Sequence, residues 1–268
     1  MAFRQLGGVF SRSSKGFTEN FYQSLSMTPQ ELVLVGFYLV ILLYTVIMHE
    51  VAHGVIALWL GDKTAQYSGR LTLNPVSHID FMGSVVVPLM MFFTTGLAFG
   101  WAKPVPYNPY NLKNQKWGPV AVAFAGPGSN FLLAFVAAII AHILPVGLAE
   151  RQDIFSRFFG IIGRVGEWSD RWGGFADAVA GSLPGIFLGF LLMVIFWNVL
   201  LGVFNMVPIP PLDGSKLLYP LLSLRSETVA LLEQYGFVFL LLVIFSPLGA
   251  LIQWPLSVLL DFFLRIAM

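Results

Sequence analysis

Five stretches of this chain contain no Asp, Glu, Lys or Arg: residues 32–49, 81–102, 118–149, 178–212 and 234–260. A helix needs about 20 apolar residues to cross the hydrocarbon of a bilayer, so each stretch is long enough, or nearly so. Backbone polar groups in lipid must be satisfied within the chain, and apolar runs of this length leave helices as the solution. Only 11% of the 268 residues are charged, against ~25% in an ordinary soluble domain. The sequence therefore predicts an all-α polytopic membrane protein with about four to six transmembrane helices in the lipid bilayer. A net charge of +1 gives no reason to expect a nucleic-acid partner. Cysteine is absent, which excludes disulfides and thiolate metal sites.

Residues 1–30 read as a polar lead-in, interfacial at most, without a cleavable signal pattern. "SMTPQEL" then carries a helix-start signature, with a Ser or Thr cap, a proline in the first turn and an acid soon after. The first span is expected over 31–60, closed by "GD". Residues 64–75, "TAQYSGRLTLNP", alternate and end in a turn signal, which predicts a short β-hairpin. The apolar 82–102 segment fits either a span or a re-entrant element, and the proline-rich "KPVPYNP" after it cannot be a regular helix. Further spans are expected at 118–144 and 184–207, with an interfacial amphipathic segment at 150–177 between them. Residues 229–268 form a C-terminal segment, a long span or a hairpin broken near Pro247, leaving 31–228 as the core. Region 62–117 carries five Lys/Arg against two acids, the largest excess, which puts it in the cytoplasm and the N-terminus outside.

At the end of the first apolar run stands "MHEVAHG", residues 48–54. On a helix, positions i and i+4 share a face, so His49 and His53 can point at one ion. Glu50 can reach a water there. This is the H-E-x-x-H pattern of zinc hydrolases, with the glutamate as general base. A histidine–glutamate cluster merely facing lipid headgroups is the weaker reading, since a lone glutamate at mid-span costs roughly 2.5–3.5 kcal/mol. Zinc held by two imidazoles needs a third protein ligand. Asp213, in "NMVPIPPLDG", is the best carboxylate; it could equally cap the helix that follows. Asp261 is a poorer candidate.

"HEVAH", "AGPGSN" at 125–130 and "NMVPIPPLDG" at 205–214, in this order, resemble the site-2 protease family of intramembrane zinc metalloproteases. "GRLTLNPVSHID" and "GWAKPVPYNP" are similar to its compact bacterial branch, which lacks PDZ and CBS domains. The resemblance covers about residues 40–220 and implies one zinc per chain, held by His49, His53 and Asp213, with Glu50 activating water. It implies a three-helix catalytic core over 31–60, 118–144 and 184–207. It also implies a multi-pass protein of the bacterial plasma membrane that cleaves membrane-protein substrates in or beside their transmembrane segments. Segments 62–80 and 103–117 would admit water, and the edge of the 64–75 hairpin would pair with the unwound substrate. For Asn130 two readings stand: an interhelical hydrogen bond beside Gly126 and Gly128, or, as the family suggests, an amide that holds substrate backbone or the oxyanion. Asn205 either caps a broken helix or, by preference, orients Asp213. His78 and Asp80 are expected in a local turn network rather than a second metal site, and His142 near a span end. A metal transporter would repeat such residues on several helices, and an inactive scaffold would have lost one of them.

Overall fold

The computed structural model describes residues 28–95, 102–163, 168–222, 224 and 226–268. Among these, four helices are long and apolar enough to cross a membrane: Pro29–Trp59, Gly118–Ile143, Leu183–Asn205 and Pro247–Ala267. In chain order the helices are α1 (Pro29–Trp59), α2 (Thr64–Tyr67), α3 (Val87–Thr95), α4 (Gly118–Ile143) and α5 (Leu148–Gly163). They continue with α6 (Trp168–Val179), α7 (Leu183–Asn205), α8 (Asp213–Leu222), α9 (Ser226–Phe245) and α10 (Ala250–Ala267).

The first span begins as its sequence dictates. The Thr28 N–H donates to Glu31 Oε2 at 2.6 Å and the Glu31 N–H donates to Thr28 Oγ1 at 3.3 Å, a reciprocal capping box around Pro29. It ends at Gly61, whose φ of +112° lies in the left-handed region. There the Gly61 N–H donates to the Leu58 carbonyl and the Asp62 N–H to that of Ala57, which closes the last turn in a Schellman arrangement.

The hairpin expected at 64–75 does not form, and no strand occurs among the described residues. Asp62 Oδ1 instead accepts from the Thr64 N–H and from its hydroxyl, which starts the single turn α2. Gly69, at φ +64°, ends that turn. Local capping chemistry outweighs the alternation that suggested strands. With no strand there, the expected pairing of substrate with a hairpin edge has no basis. Of the 82–102 segment, a π-helical turn Phe81–Val86 and α3 form one short helical element, and 96–101 lie outside the described residues. The lead-in reading of residues 1–30 likewise lies almost wholly outside them.

Two compact units can be distinguished. One comprises the described parts of 1–40, 79–102 and 144–190. Its core is aromatic: Tyr38 meets Trp172 edge-on at 5.3 Å, and Phe158 lies 5.7 Å from Phe175. The amphipathic stretch predicted at 150–177 falls on two helices of this unit, α5 and α6, which pack on each other. The other unit comprises 41–78, 103–143 and 191–268. Here α4 packs against α8 and α10, and its buried alanines 134, 137, 138 and 141 permit close approach. Of the two readings of the tail, a long span or a break near Pro247, the structure has the break, between α9 and α10.

Candidate metal centre

All the chemistry-bearing residues lie in the second unit. His49 and His53 stand one turn apart on α1, their rings edge to face with centroids 4.6 Å apart. Both are buried. Each ring is fixed from behind by α4: His49 Nδ1 lies 2.6 Å from Asn130 Oδ1, and His53 Nδ1 lies 2.6 Å from the Val122 carbonyl oxygen. A carbonyl oxygen only accepts, so Nδ1 carries a proton in both rings, and in the neutral imidazoles it is Nε2 that offers a lone pair. Those two Nε2 atoms each lie 3.1 Å from Asp213 Oδ2. With neutral imidazoles, two nitrogen lone pairs and a carboxylate oxygen thus face one point, an arrangement that a cation would satisfy.

The donor set and spacing suit zinc. Bonds of about 2.0–2.1 Å in a tetrahedron set the ligand atoms roughly 3.3 Å apart, close to the 3.1 Å found on the two Asp213 edges. The three residues are also the one such group of metal-ligating side chains among the described residues. Glycine shapes the cradle. A Cβ on Gly126 would sit 2.5 Å from His49 Cε1 and from His53 Cε1 and Nε2, so the "AGPGSN" segment of α4 meets the rings with bare backbone.

Asp213 opens α8 after the proline-rich turn 206–212. Gly214 is required there because a Cβ would collide with the Met206 carbonyl. The carboxylate faces the two histidines and, at 3.5 Å, the Lys216 ammonium. No hydrogen bond joins the carboxylate to a backbone N–H of α8. The Lys216 ammonium beside it favours the ionised carboxylate.

Glu50 Oε2 accepts a hydrogen bond of 2.8 Å from the Val105 N–H, which leaves Oε1 free of that bond. The loop carrying Val105 is anchored at both ends. At one end the Arg70 guanidinium donates to the carbonyls of Ser77, Lys103 and Pro104, and the Lys103 N–H donates to the His78 carbonyl. At the other, Asp62 accepts from the Asn108 N–H at 2.7 Å and Asn111 Nδ2 at 2.9 Å, besides its two bonds to Thr64. Burial pushes the Asp62 carboxyl up, but the donors on Thr64, Asn111 and Asn108 outweigh it and lower it from the usual value. Gly54, the last residue of "MHEVAHG", lets this loop close in: a Cβ there would lie 2.6 Å from a Leu71 methyl and 2.8 Å from one of Val105.

Asn130 is fully buried, with its oxygen on His49 and its Nδ2 donating to Asn198 Oδ1 at 2.9 Å. It bonds residues on two neighbouring helices, as in the first of the two readings. Asn205 does not reach Asp213; its Nδ2 donates to the Leu201 carbonyl one turn back. His78 Nε2 bonds the Thr72 carbonyl and Asp80 accepts from the Gly83 N–H, a local turn network as expected. His142 lies in the last turn of α4. Asp261 pairs on the exposed face of α10 with Arg265 at 2.6 Å. Sequence reasoning missed Asn198, a second buried amide in an apolar run, and Arg70 and Asp62, whose many bonds no local motif announces.

A chain whose helices are built to span a bilayer, with an H-E-x-x-H turn and a carboxylate meeting inside it, has the make-up of a membrane metallopeptidase. Residues 37–243 match the description Peptidase family M50, and the chain belongs to that family, the site-2 proteases. It is 32% identical over 242 residues to YwhC of Bacillus subtilis, a zinc metalloprotease by name, covering 88% of this chain and 89% of that protein. Rip2 of Mycolicibacterium smegmatis, likewise a zinc metalloprotease by name, is 28% identical over 231 residues, covering 85% and 74% respectively. Rip2 of Mycobacterium tuberculosis is 26% identical over 226 residues. No solved structure matches the chain significantly.

Proposed function

We propose that this protein is a zinc-dependent intramembrane endopeptidase of the cell membrane that hydrolyses peptide bonds in or beside transmembrane segments of other membrane proteins. The observation that carries this reading is the convergence of His49 Nε2, His53 Nε2 and the Asp213 carboxylate on one point, one residue from Glu50. His49, His53 and Asp213 would hold the zinc. When bound, it polarises the scissile carbonyl and lowers the pKa of a water towards ~7. Glu50, steadied through Oε2 by the Val105 N–H, takes the proton of the attacking water on Oε1 and returns it to the leaving amine. A transmembrane helix hides its carbonyls in hydrogen bonds, so the substrate must unwind locally before its carbonyl can enter.

Glu50→Gln keeps the side-chain shape and an acceptor for Val105 but removes the base. Purified in detergent, this variant is expected to retain zinc while losing cleavage of a transmembrane reporter by about 100-fold or more. Cleavage at the wild-type rate would overturn the assignment. Metal flux in liposomes without any cleavage would favour a transporter.

A further inference from the structure

Asn198 lies on α7, far along the sequence from the H-E-x-x-H turn, and is almost fully buried. Its Oδ1 accepts from Asn130 Nδ2 at 2.9 Å; its Nδ2 donates to the Val194 carbonyl at 2.9 Å and to Thr45 Oγ1 at 3.3 Å. Thr45, also buried, sits one turn before His49 on α1. We propose that Asn198 is a positioning residue for the metal centre, setting the tautomer of His49 through Asn130. The proposal rests on the metallopeptidase reading above.

An amide side chain has nearly the same shape when its oxygen and nitrogen are exchanged, so packing alone does not decide which end of Asn130 faces His49. An Asn130 amide turned the other way would offer N–H to Nδ1, move the imidazole proton to Nε2 and abolish that nitrogen as a ligand. The Val194 carbonyl fixes the direction because it can only accept. It holds the NH2 of Asn198 towards itself and so aims Asn198 Oδ1 at Asn130. That oxygen claims the Asn130 NH2, which leaves Asn130 Oδ1 for His49 Nδ1–H and the Nε2 lone pair for the ion. A backbone carbonyl on α7 thus defines the protonation of a ligand on α1, by way of α4. Reversing the relay anywhere would set two oxygens or two N–H groups face to face in a buried site.

The test is zinc affinity measured by chelator competition on the purified full chain in detergent, together with 15N NMR of the metal-free, histidine-labelled protein, which contains four histidines. Asn198→Ala and Asn130→Ala are each expected to weaken zinc binding about 10- to 100-fold, the usual range for groups that orient a metal ligand. If Asn198 acts through Asn130, the double variant is no weaker than Asn130→Ala alone. The NMR of Asn198→Ala should show His49 gaining the Nε2–H form that the wild type lacks. Asn198→Asp, whose neutral carboxyl preserves the polarity of the relay, should bind zinc within a few-fold of wild type and keep His49 protonated at Nδ1. Wild-type affinity in Asn198→Ala, multiplying effects in the double variant, or an unchanged His49 tautomer overturns the proposal. If Asn198→Ala does not fold, Asn198→Asp decides: Nε2-protonated His49 there overturns it. A wild type that binds no zinc at all sinks the metallopeptidase reading instead, which keeps the two failures distinct.

Discussion

Gly126→Ala adds one carbon to the chain at the point where α4 meets both histidines. That Cβ would lie 2.5 Å from His49 Cε1, His53 Cε1 and His53 Nε2. Ordinary carbon contacts begin near 3.5 Å, so three contacts overlap by about 1 Å each. The rings have little room to withdraw, because both Nδ1 atoms are already tied to α4 at 2.6 Å. Overpacking of this kind costs about 1–3 kcal/mol, and it falls on the ligand geometry, so zinc affinity should drop roughly 5- to 150-fold. Two residues further on, a Cβ at Gly128 meets Phe124 at 3.5 Å, an ordinary contact. Gly128→Ala therefore replaces a poor helix former by a good one, with a gain of up to ~1 kcal/mol and no harm to the metal. Zinc content by mass spectrometry, chelator competition and thermal unfolding of the metal-free protein separate the two. Normal zinc binding in Gly126→Ala, or equal losses in both variants, would show that α4 does not form the wall behind the rings.

Asp213→Asn tests ligand against cap: Asn caps as well as Asp, so near-normal zinc and cleavage would mean the third ligand lies elsewhere, whereas strong loss of both, comparable to His53→Ala, is expected. Asp62→Asn presents an NH2 to a site lined with donors and should destabilise the fold by about 1–3 kcal/mol at neutral pH. Because the folded Asp62 carboxyl titrates below its unfolded value of ~3.9, its contribution is fully present above that value and is lost as pH falls through the lower one. The gap in unfolding temperature between wild type and Asp62→Asn should therefore narrow only below about pH 4, and a gap that stays constant down to pH 2 would refute the linkage.

What could be read from the sequence depended on whether the signal was local. His49, Glu50 and His53 were legible because helical periodicity alone puts two imidazoles on one face. The spans were legible from length and charge, and the break near Pro247 from the proline. Asp213 was undecided between ligand and cap until the family resemblance, since an Asp-Gly after prolines suits both; only its meeting with residues 164 positions away separates them. Residues 64–75 misled because alternation suggests strands, while the signals that prevailed, Asp62 as a helix-starting acceptor and Gly69 as its stop, are single residues flanking the turn 64–67. Asn198 was invisible for a different reason. Nothing in an apolar run tells a buried amide that relays a hydrogen bond from one that merely joins two helices.

Thr45, Asn130 and Asn198 come from α1, α4 and α7, and their mutual bonds need no metal. In lipid, helices gain nothing from hiding apolar surface against each other, and each of these polar groups, left alone, would lose hydrogen bonds. The atoms that join the three helices are distinct from the three ligand atoms that face the ion. The packing of this part of the bundle is therefore expected to survive removal of the metal by a chelator.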